Sequence, residues 1–188
     1  MLAVALDERD SYTHGHSDRV RKWALTIGKK MGLEGRELDD LGTGAILHDI
    51  GKIGIEDNIL RKPGPLLPDE RAKIETHPLR GEQIISPVKE LHPIIPIVRN
   101  HHERPDGAGY PSRLKDIPLA ARIVAVVDTY DAMVSARPYR PAMKPEDARR
   151  ILREVAGTQL DEEIVNIFLD CLAGEESPDM RAARPAQV

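Results

Sequence analysis

The sequence predicts an all-α protein, a bundle of helices with polar side chains gathered in its core, and three observations predict it. Only 3% of the 188 residues are aromatic, so the interior has to be assembled from Leu, Ile, Val, Ala and Met, a mix that favours helix packed on helix. Apolar residues recur at three- and four-residue spacing along most of the chain, the period of a helix with one buried face. Histidines and aspartates stand at the ends of those patterns, where an unpaired polar group is costly to bury.

The elements follow in order. Ser17 is read as the cap of a helix whose buried face is Val20, Trp23, Ala24, Ile27 and Met31, with Gly32 as its stop. Leu38, Leu41 and Ala45 outline a second helix ending near His48-Asp49. Gly51, Gly54, Pro63, Gly64, Pro65 and Pro68 then force a loop. Asp69-Glu70 suit a helix start, and Pro78 sits at the first position of another helix that continues through Gly81 to Ile85. An apolar stretch from Pro93 to His102 runs into a Gly/Pro-rich loop, Arg104 to Pro111. Pro118 opens the segment Leu119 to Met133, whose β-branched part, Ile123–Val127, allows a strand, but its length and alanine content favour a buried helix. Helices from Pro145 to Ala156 and from Asp161 to Leu172 complete the series.

The chain is read as one domain, residues 1–173, in which residues 1–16 are the end of a linker helix, followed by a disordered tail over 174–188. With 40% hydrophobic and 31% charged residues it should fold. Twenty-seven basic against 31 acidic residues give a net charge of −4, which offers no global positive field for duplex nucleic acid. One cysteine, Cys171, excludes an internal disulfide and a thiolate zinc site. No apolar run approaches a membrane span, and no basic segment with a cleavage site follows Met1, so the expected location is cytoplasmic.

Any metal must therefore bind to histidine and carboxylate. His48-Asp49 and His101-His102-Glu103 each end an apolar helical pattern. The gaps are 32 residues from His16 to His48, 28 from Asp49 to His77, 24 from His77 to His101 and 26 from His102 to Asp128. Each allows a there-and-back excursion of short helices, so one end of a bundle can collect His16, His48, Asp49, His77, His101, His102 and Asp128. Nitrogen and oxygen ligands without sulfur suit iron, manganese or zinc. Two ions sharing a hydroxide would clamp the attacking and leaving oxygens of a phosphodiester. His14 and His92 have no ligand-type neighbour at useful spacing and are read as solvated. Asp131, one turn beyond Asp128, suits either ligation or support of a ligand.

His48-Asp49-Ile50-Gly51-Lys52 and the run His101-His102-Glu103-Arg104-Pro105-Asp106-Gly107-Ala108-Gly109-Tyr110-Pro111 resemble the two signatures of the HD-GYP family, HDxGK and HHExxDGxGYP. The resemblance takes in Lys62-Pro63-Gly64, His77-Pro78, Ala121-Arg122-Ile123, Asp128-Thr129-Tyr130-Asp131-Ala132 and Arg137-Pro138-Tyr139-Arg140, and spans roughly residues 10 to 172. It implies the HD-superfamily helical fold and a metal-dependent phosphodiesterase that opens cyclic di-GMP to the linear dinucleotide pGpG and in some members to GMP. It also implies two divalent ions, iron or manganese. His16, His48, Asp49 and Asp128 would hold one, and Asp49 would bridge to a second held by His77, His101 and His102. Asp49 and Lys52 would be catalytic. Lys52, Gly107, Gly109, Tyr110, Arg137 and Arg140 would contact substrate, although Tyr110 could instead pack beneath its loop. An upstream regulatory domain, or a homodimer through the N-terminal helix, is the implied partner.

The chain departs from the family pattern in three places. Tyr12 stands where trinuclear members have Glu, which argues against a third ion. The stretch Ser112–Asp116 is about two residues short. Leu160-Asp161-Glu162 replaces the usual Phe-Asp-Pro. The competing expectations are a related hydrolase of a mononucleotide or the mixed guanine–adenine cyclic dinucleotide, and a non-hydrolysing cyclic di-GMP sensor. A di-iron oxygenase on the same scaffold is disfavoured by Lys52, Arg137 and the glycine-rich loop.

Overall fold

The computed structural model describes residues 15–136 and 141–176, and all regular structure in them is helical. Helix α1 covers His16–Lys30 and α2 covers Gly35–Leu47. A 3-10 segment, Ile50–Gly54, and the single turn α3, Asp57–Leu60, follow. Next come α4, Pro68–Ile74, and α5, His77–Ile85. A second 3-10 segment, Lys89–Ile94, feeds α6, Ile95–Asn100, and a long loop leads to α7, Leu119–Val134. Helices α8, Pro145–Val155, and α9, Glu162–Glu176, close the order.

The segment Leu119–Val134 is the central helix, packed against α1, α6, α8 and α9. Burial from several sides explains its nearly continuous apolar sequence, and Ile123, Val124, Val126 and Val127 are fully buried. Helices α1 and α2 pair on one flank, and α5 lies against the first 3-10 segment and α6. The aliphatic core expected from composition is present, but it also takes in the chain's one Phe: fully buried Phe168 packs edge-on to half-buried Trp23 at 5.2 Å and to Tyr130 at 5.1 Å.

Four local expectations are corrected. Ser17 does not cap α1; it is buried inside the first turn, and Gly15, at φ +72°, occupies the cap. The stretch after Gly51 is not plain loop but winds as 3-10 and α3. The pattern from Pro93 begins as 3-10 because Pro93 and Pro96 remove two backbone donors. Helix α9 continues through Gly174 to Glu176, beyond the expected start of the tail at 174. The remaining tail, the linker-helix residues before Gly15, and Tyr12, His14, Arg137 and Arg140 lie outside the described residues.

Candidate metal centre

The seven candidate ligands arrive from five places in the chain. His16 opens α1, His48 and Asp49 follow α2, His77 opens α5, His101 and His102 follow α6, and Asp128 lies in α7. Helices that begin or end beside one another deliver them together. They form two sets: Asp49, His77, His101 and His102 in one, and His16, His48 and Asp128 in the other, with the donor atoms within each set no more than 4.8 Å apart.

Asp49 lies between the sets. Its Oδ1 is 3.2 Å from His77 Nε2 and 3.8 Å from His101 Nε2, while its Oδ2 is 3.4 Å from His48 Nε2. Each carboxylate oxygen therefore faces a different group of imidazoles. On the far side, Asp128 Oδ1 is 3.5 Å from His16 Nε2 and 3.9 Å from His48 Nε2.

The imidazoles are held in one tautomer. His48, His77 and His101 each place Nδ1 at 2.8–2.9 Å from the carbonyl three residues back, Ala45, Ile74 and Val98. A carbonyl only accepts, so each Nδ1 carries a proton and Nε2 is the atom presented to the centre. For His16 the same task falls to Asp131, whose Oδ2 accepts from Nδ1 at 2.7 Å. Arg19 holds that carboxylate through Nε at 2.6 Å and Nη2 at 2.9 Å. Asp131 thus bonds a candidate ligand and is not itself in either donor set, the arrangement expected of the supporting reading. Burial pushes its carboxyl up, and the bonds from His16 and Arg19 outweigh this and leave it below the usual carboxylate range.

The donor chemistry fits divalent ions. His77 Nε2 and His101 Nε2 face each other at 3.2 Å, and with both Nδ1 atoms protonated two lone pairs oppose one another. Buried His48 Nε2 and Asp49 Oδ1 have no hydrogen-bond partner. A cation between such atoms removes both costs. Burial, then neighbouring histidines, push His101 well below the ordinary imidazole value, and burial with His77 lowers His102 to about 3, so both are neutral donors at physiological pH. Burial raises the Asp49 carboxyl, but Lys52, His48 and His77 together hold it far below its ordinary value, so it is ionised. Burial also pulls His48 down, and the carboxylates of Asp49 and Asp128 with the Ala45 carbonyl reverse this, raising it to about 9.

Two glycine contacts explain the signature spacings. A Cβ on Gly51 would lie 1.9 Å from the carbonyl oxygen of His77 and 2.5 Å from the backbone nitrogen of Gly81, so only glycine lets the Asp49 turn settle against α5. A Cβ on Gly109 would lie 2.5–2.6 Å from backbone atoms of His102, Glu103 and Arg104. The glycine-rich loop consequently folds back over the histidine pair. Gly107, at φ +76°, makes the turn, and Asp106 Oδ1 accepts from the Ala108 N–H at 2.9 Å. Tyr110 comes to rest stacked on His102, with ring centres 4.8 Å apart and an interplanar angle of 27°.

Lys52 Nζ is 2.6 Å from Asp49 Oδ2, beside the ligands rather than remote from them. Beside the centre lies a cleft of about 600 Å³ lined by His101, His102 and Asp128 at one side and by Arg71, Glu75, Tyr110, Arg113 and Gln159 elsewhere. His92 bonds an exposed carbonyl, that of Ser86, away from the cluster.

Sequence reasoning missed three residues. Glu103 is buried, and its two oxygens accept from the N–H groups of Ser112 at 2.6 Å and Leu114 at 3.0 Å, which anchors the loop carrying Tyr110. Its position inside the second signature was the available signal. Arg19 left none, because a surface-type arginine on α1 is unremarkable until Asp131 is beside it. Arg71 likewise reads as part of a solvated helix face.

Comparison with known proteins agrees with this geometry. The family profile described as HD domain matches residues 1–164. A cyclic di-GMP phosphodiesterase of Thermotoga maritima is 41% identical over 175 residues, covering 90% of this chain and 47% of that protein. A cyclic di-GMP phosphodiesterase response regulator of Xanthomonas campestris is 38% identical over 172 residues, covering 89% and 46%. This chain thus spans about half the length of the curated relatives it matches. Among solved structures, a cyclic GMP-AMP specific phosphodiesterase of Vibrio cholerae superposes with a TM-score of 0.72 at 19% identity, over 99% of this chain and 53% of that one, a likeness of fold. With the profile spanning most of its length and both HD-GYP signatures in place, the chain belongs to the HD-domain family.

Proposed function

We propose that this chain is a metal-dependent phosphodiesterase acting on cyclic di-GMP, giving pGpG and, on a second cleavage, GMP. The observation that carries the reading is Asp49, whose two oxygens face two separate histidine sets at 3.2–3.4 Å. That arrangement suits a carboxylate shared by two ions. His16, His48 and Asp128 would complete one site and His77, His101 and His102 the other. Bound there, a pair of divalent ions of iron or manganese type supplies an activated water near neutral pH and polarises the phosphate.

The chain's own residues do the rest. The buried histidines, each fixed through Nδ1, keep their donor atoms in place without rearrangement. Lys52 brings a positive charge beside Asp49, where a phosphodiester oxygen would lie. Arg137 and Arg140 are proposed as further phosphate contacts, and Arg137→Ala should weaken turnover with metal content unchanged. Gly107 and Gly109 let the loop approach closely, and Tyr110 offers a ring face to a base. The proposed unit is residues 1–173, preceded in the whole protein by a regulatory domain or paired through its N-terminal helix, and located in the cytoplasm where nucleotide substrates are made. Two 3'3'-cGAMP-specific phosphodiesterases of Vibrio cholerae, 35% and 32% identical over 84% and 90% of this chain, support the mixed dinucleotide as second substrate.

Purification without chelator, metal analysis and chromatography of products from cyclic di-GMP, cyclic GMP-AMP and cyclic di-AMP test the reading together. Two ions per chain and a linear dinucleotide product are expected. Absence of product from all three would overturn it, and a third full-occupancy anomalous peak contacting Tyr12 would overturn the two-ion count.

A further inference from the structure

A second cavity, of about 400 Å³, lies beside the metal cleft and shares three residues with it, Arg71, Glu75 and Tyr110. Its other walls are apolar, Pro65, Leu66 and Ile74. Leu66 is 37% exposed, an uncovered apolar side chain where the loop before α4 meets the cavity. Tyr110 connects the two spaces, because the ring that stacks on His102 also lines this cavity. Apolar walls, one aromatic ring and a pair of polar groups are the composition of a site for a flat heteroaromatic ligand.

The polar pair sets which ligand. Arg71 Nε donates to Glu75 Oε1 at 2.9 Å, one helical turn apart, a bond that uses one guanidinium nitrogen and one carboxylate oxygen of two residues that both line the cavity. Together they present a donor beside an acceptor. Guanine offers the complement along one edge, with O6 accepting and N1–H and N2–H donating. Adenine reverses it, with N6–H donating where O6 would accept and N1 accepting where N1–H would donate. An arginine at O6 and N7 is the common guanine contact, and a carboxylate cannot accept from adenine N1.

Resting on the phosphodiesterase reading, we propose that the cavity formed by Pro65, Leu66, Ile74 and Tyr110, with Arg71 and Glu75 at its polar edge, is a guanine subsite that places one nucleoside of a cyclic dinucleotide while its phosphate lies at the metal cleft. The preferred substrate must then contain at least one guanine. Cyclic di-GMP and the mixed guanine–adenine dinucleotide qualify and cyclic di-AMP does not.

The test is a ratio of affinities measured on the metal-loaded full chain with hydrolysis-resistant phosphorothioate analogues of cyclic di-GMP and cyclic di-AMP. The unaltered protein should favour the guanine analogue by about tenfold or more, and Glu75→Ala and Arg71→Ala should each reduce that preference about tenfold, the worth of one good base-edge contact. A ratio compares two ligands on the same folded protein, so a general loss of affinity does not mimic the result. An unaltered protein with no preference, one that binds neither analogue, or variants that keep the original ratio or weaken both ligands equally would overturn the subsite. Product chromatography with the natural dinucleotides is read separately, so absent hydrolysis with a guanine preference intact would count against the phosphodiesterase reading alone.

Discussion

Asp49 is the residue on which both proposed ion sites depend, since each of its oxygens faces a different histidine set. Asp49→Ala should abolish hydrolysis and lower bound metal while circular dichroism remains that of the native helical fold; retained activity would refute the shared-carboxylate assignment. His48 carries the pH dependence. Its imidazole, ordinarily near 6.5, is raised to about 9 in the metal-free protein, so it holds a proton at neutral pH that an incoming ion must displace. Metal affinity should therefore rise with pH up to about 9 and loading should release protons, measurable by calorimetry in buffers of different ionisation enthalpy. The same group adds stability to the metal-free protein below pH 6.5, and that contribution is lost as pH rises through about 9. Asp131→Ala removes the acceptor that orients His16 and should weaken metal affinity about 10–100-fold. Unchanged affinity in a metal titration would show that His16 keeps its orientation without it.

At the level of elements, the centre depends on how closely backbones approach. The Asp49 turn and α5 meet with no room for a side chain, so Gly51→Ala should destabilise the fold by about 3 kcal/mol, the upper range for forcing extra atoms into a packed site. Metal loading should fall with it, because His77 and Asp49 are brought together by this contact; thermal denaturation and metal analysis read both. The loop that carries Tyr110 depends on Glu103 in a different way. Glu103→Gln leaves one of the Ser112 and Leu114 N–H groups facing an amide NH2, which costs about 1–3 kcal/mol for an unsatisfied buried donor. Turnover should drop with both ions still bound, a separation that activity and metal analysis together reveal.

For the whole molecule, stability concentrates where α1, α7 and α9 meet. Phe168 is fully buried between Trp23 and Tyr130, and Phe168→Ala should cost about 3–5 kcal/mol through the cavity it leaves, seen as a lower denaturation midpoint. No candidate ligand lies on α9, and Trp23 and Tyr130 remain to hold α1 and α7 together, so metal content per folded chain should not change. The bundle also explains why the ligands are scattered along the sequence. Two helices begin and two end beside the cluster, so it receives histidines from the starts of α1 and α5 and from just past the ends of α2 and α6, with Asp128 supplied from within α7.

Much of this was legible from the chain itself. Helical periodicity located α1, α2, α5, α7, α8 and α9 to within a few residues, because one buried face repeats in sequence as it does in space. His48-Asp49 and His101-His102 were legible as candidates because they end apolar patterns, where an unpaired polar group is costly, and Asp128 because it interrupts one; His16 and His77 were read from their spacing and from the family resemblance. The tertiary structure decided what depends on neighbours distant in sequence. Ser17 looked like a cap but is buried because α1 begins two residues earlier, with Gly15 as its cap, and the role of Asp131 could be read only once His16 and Arg19, more than 110 residues away, were beside it. The pairing of Arg71 with Glu75 is a local helical contact, but that it borders a cavity shared with Tyr110 follows from how α4 packs near a loop some 35 residues further on. Periodicity records which face of a helix is buried; which side chains then meet is set by how the helices pack, and that is where the metal centre and its adjoining cavity arise.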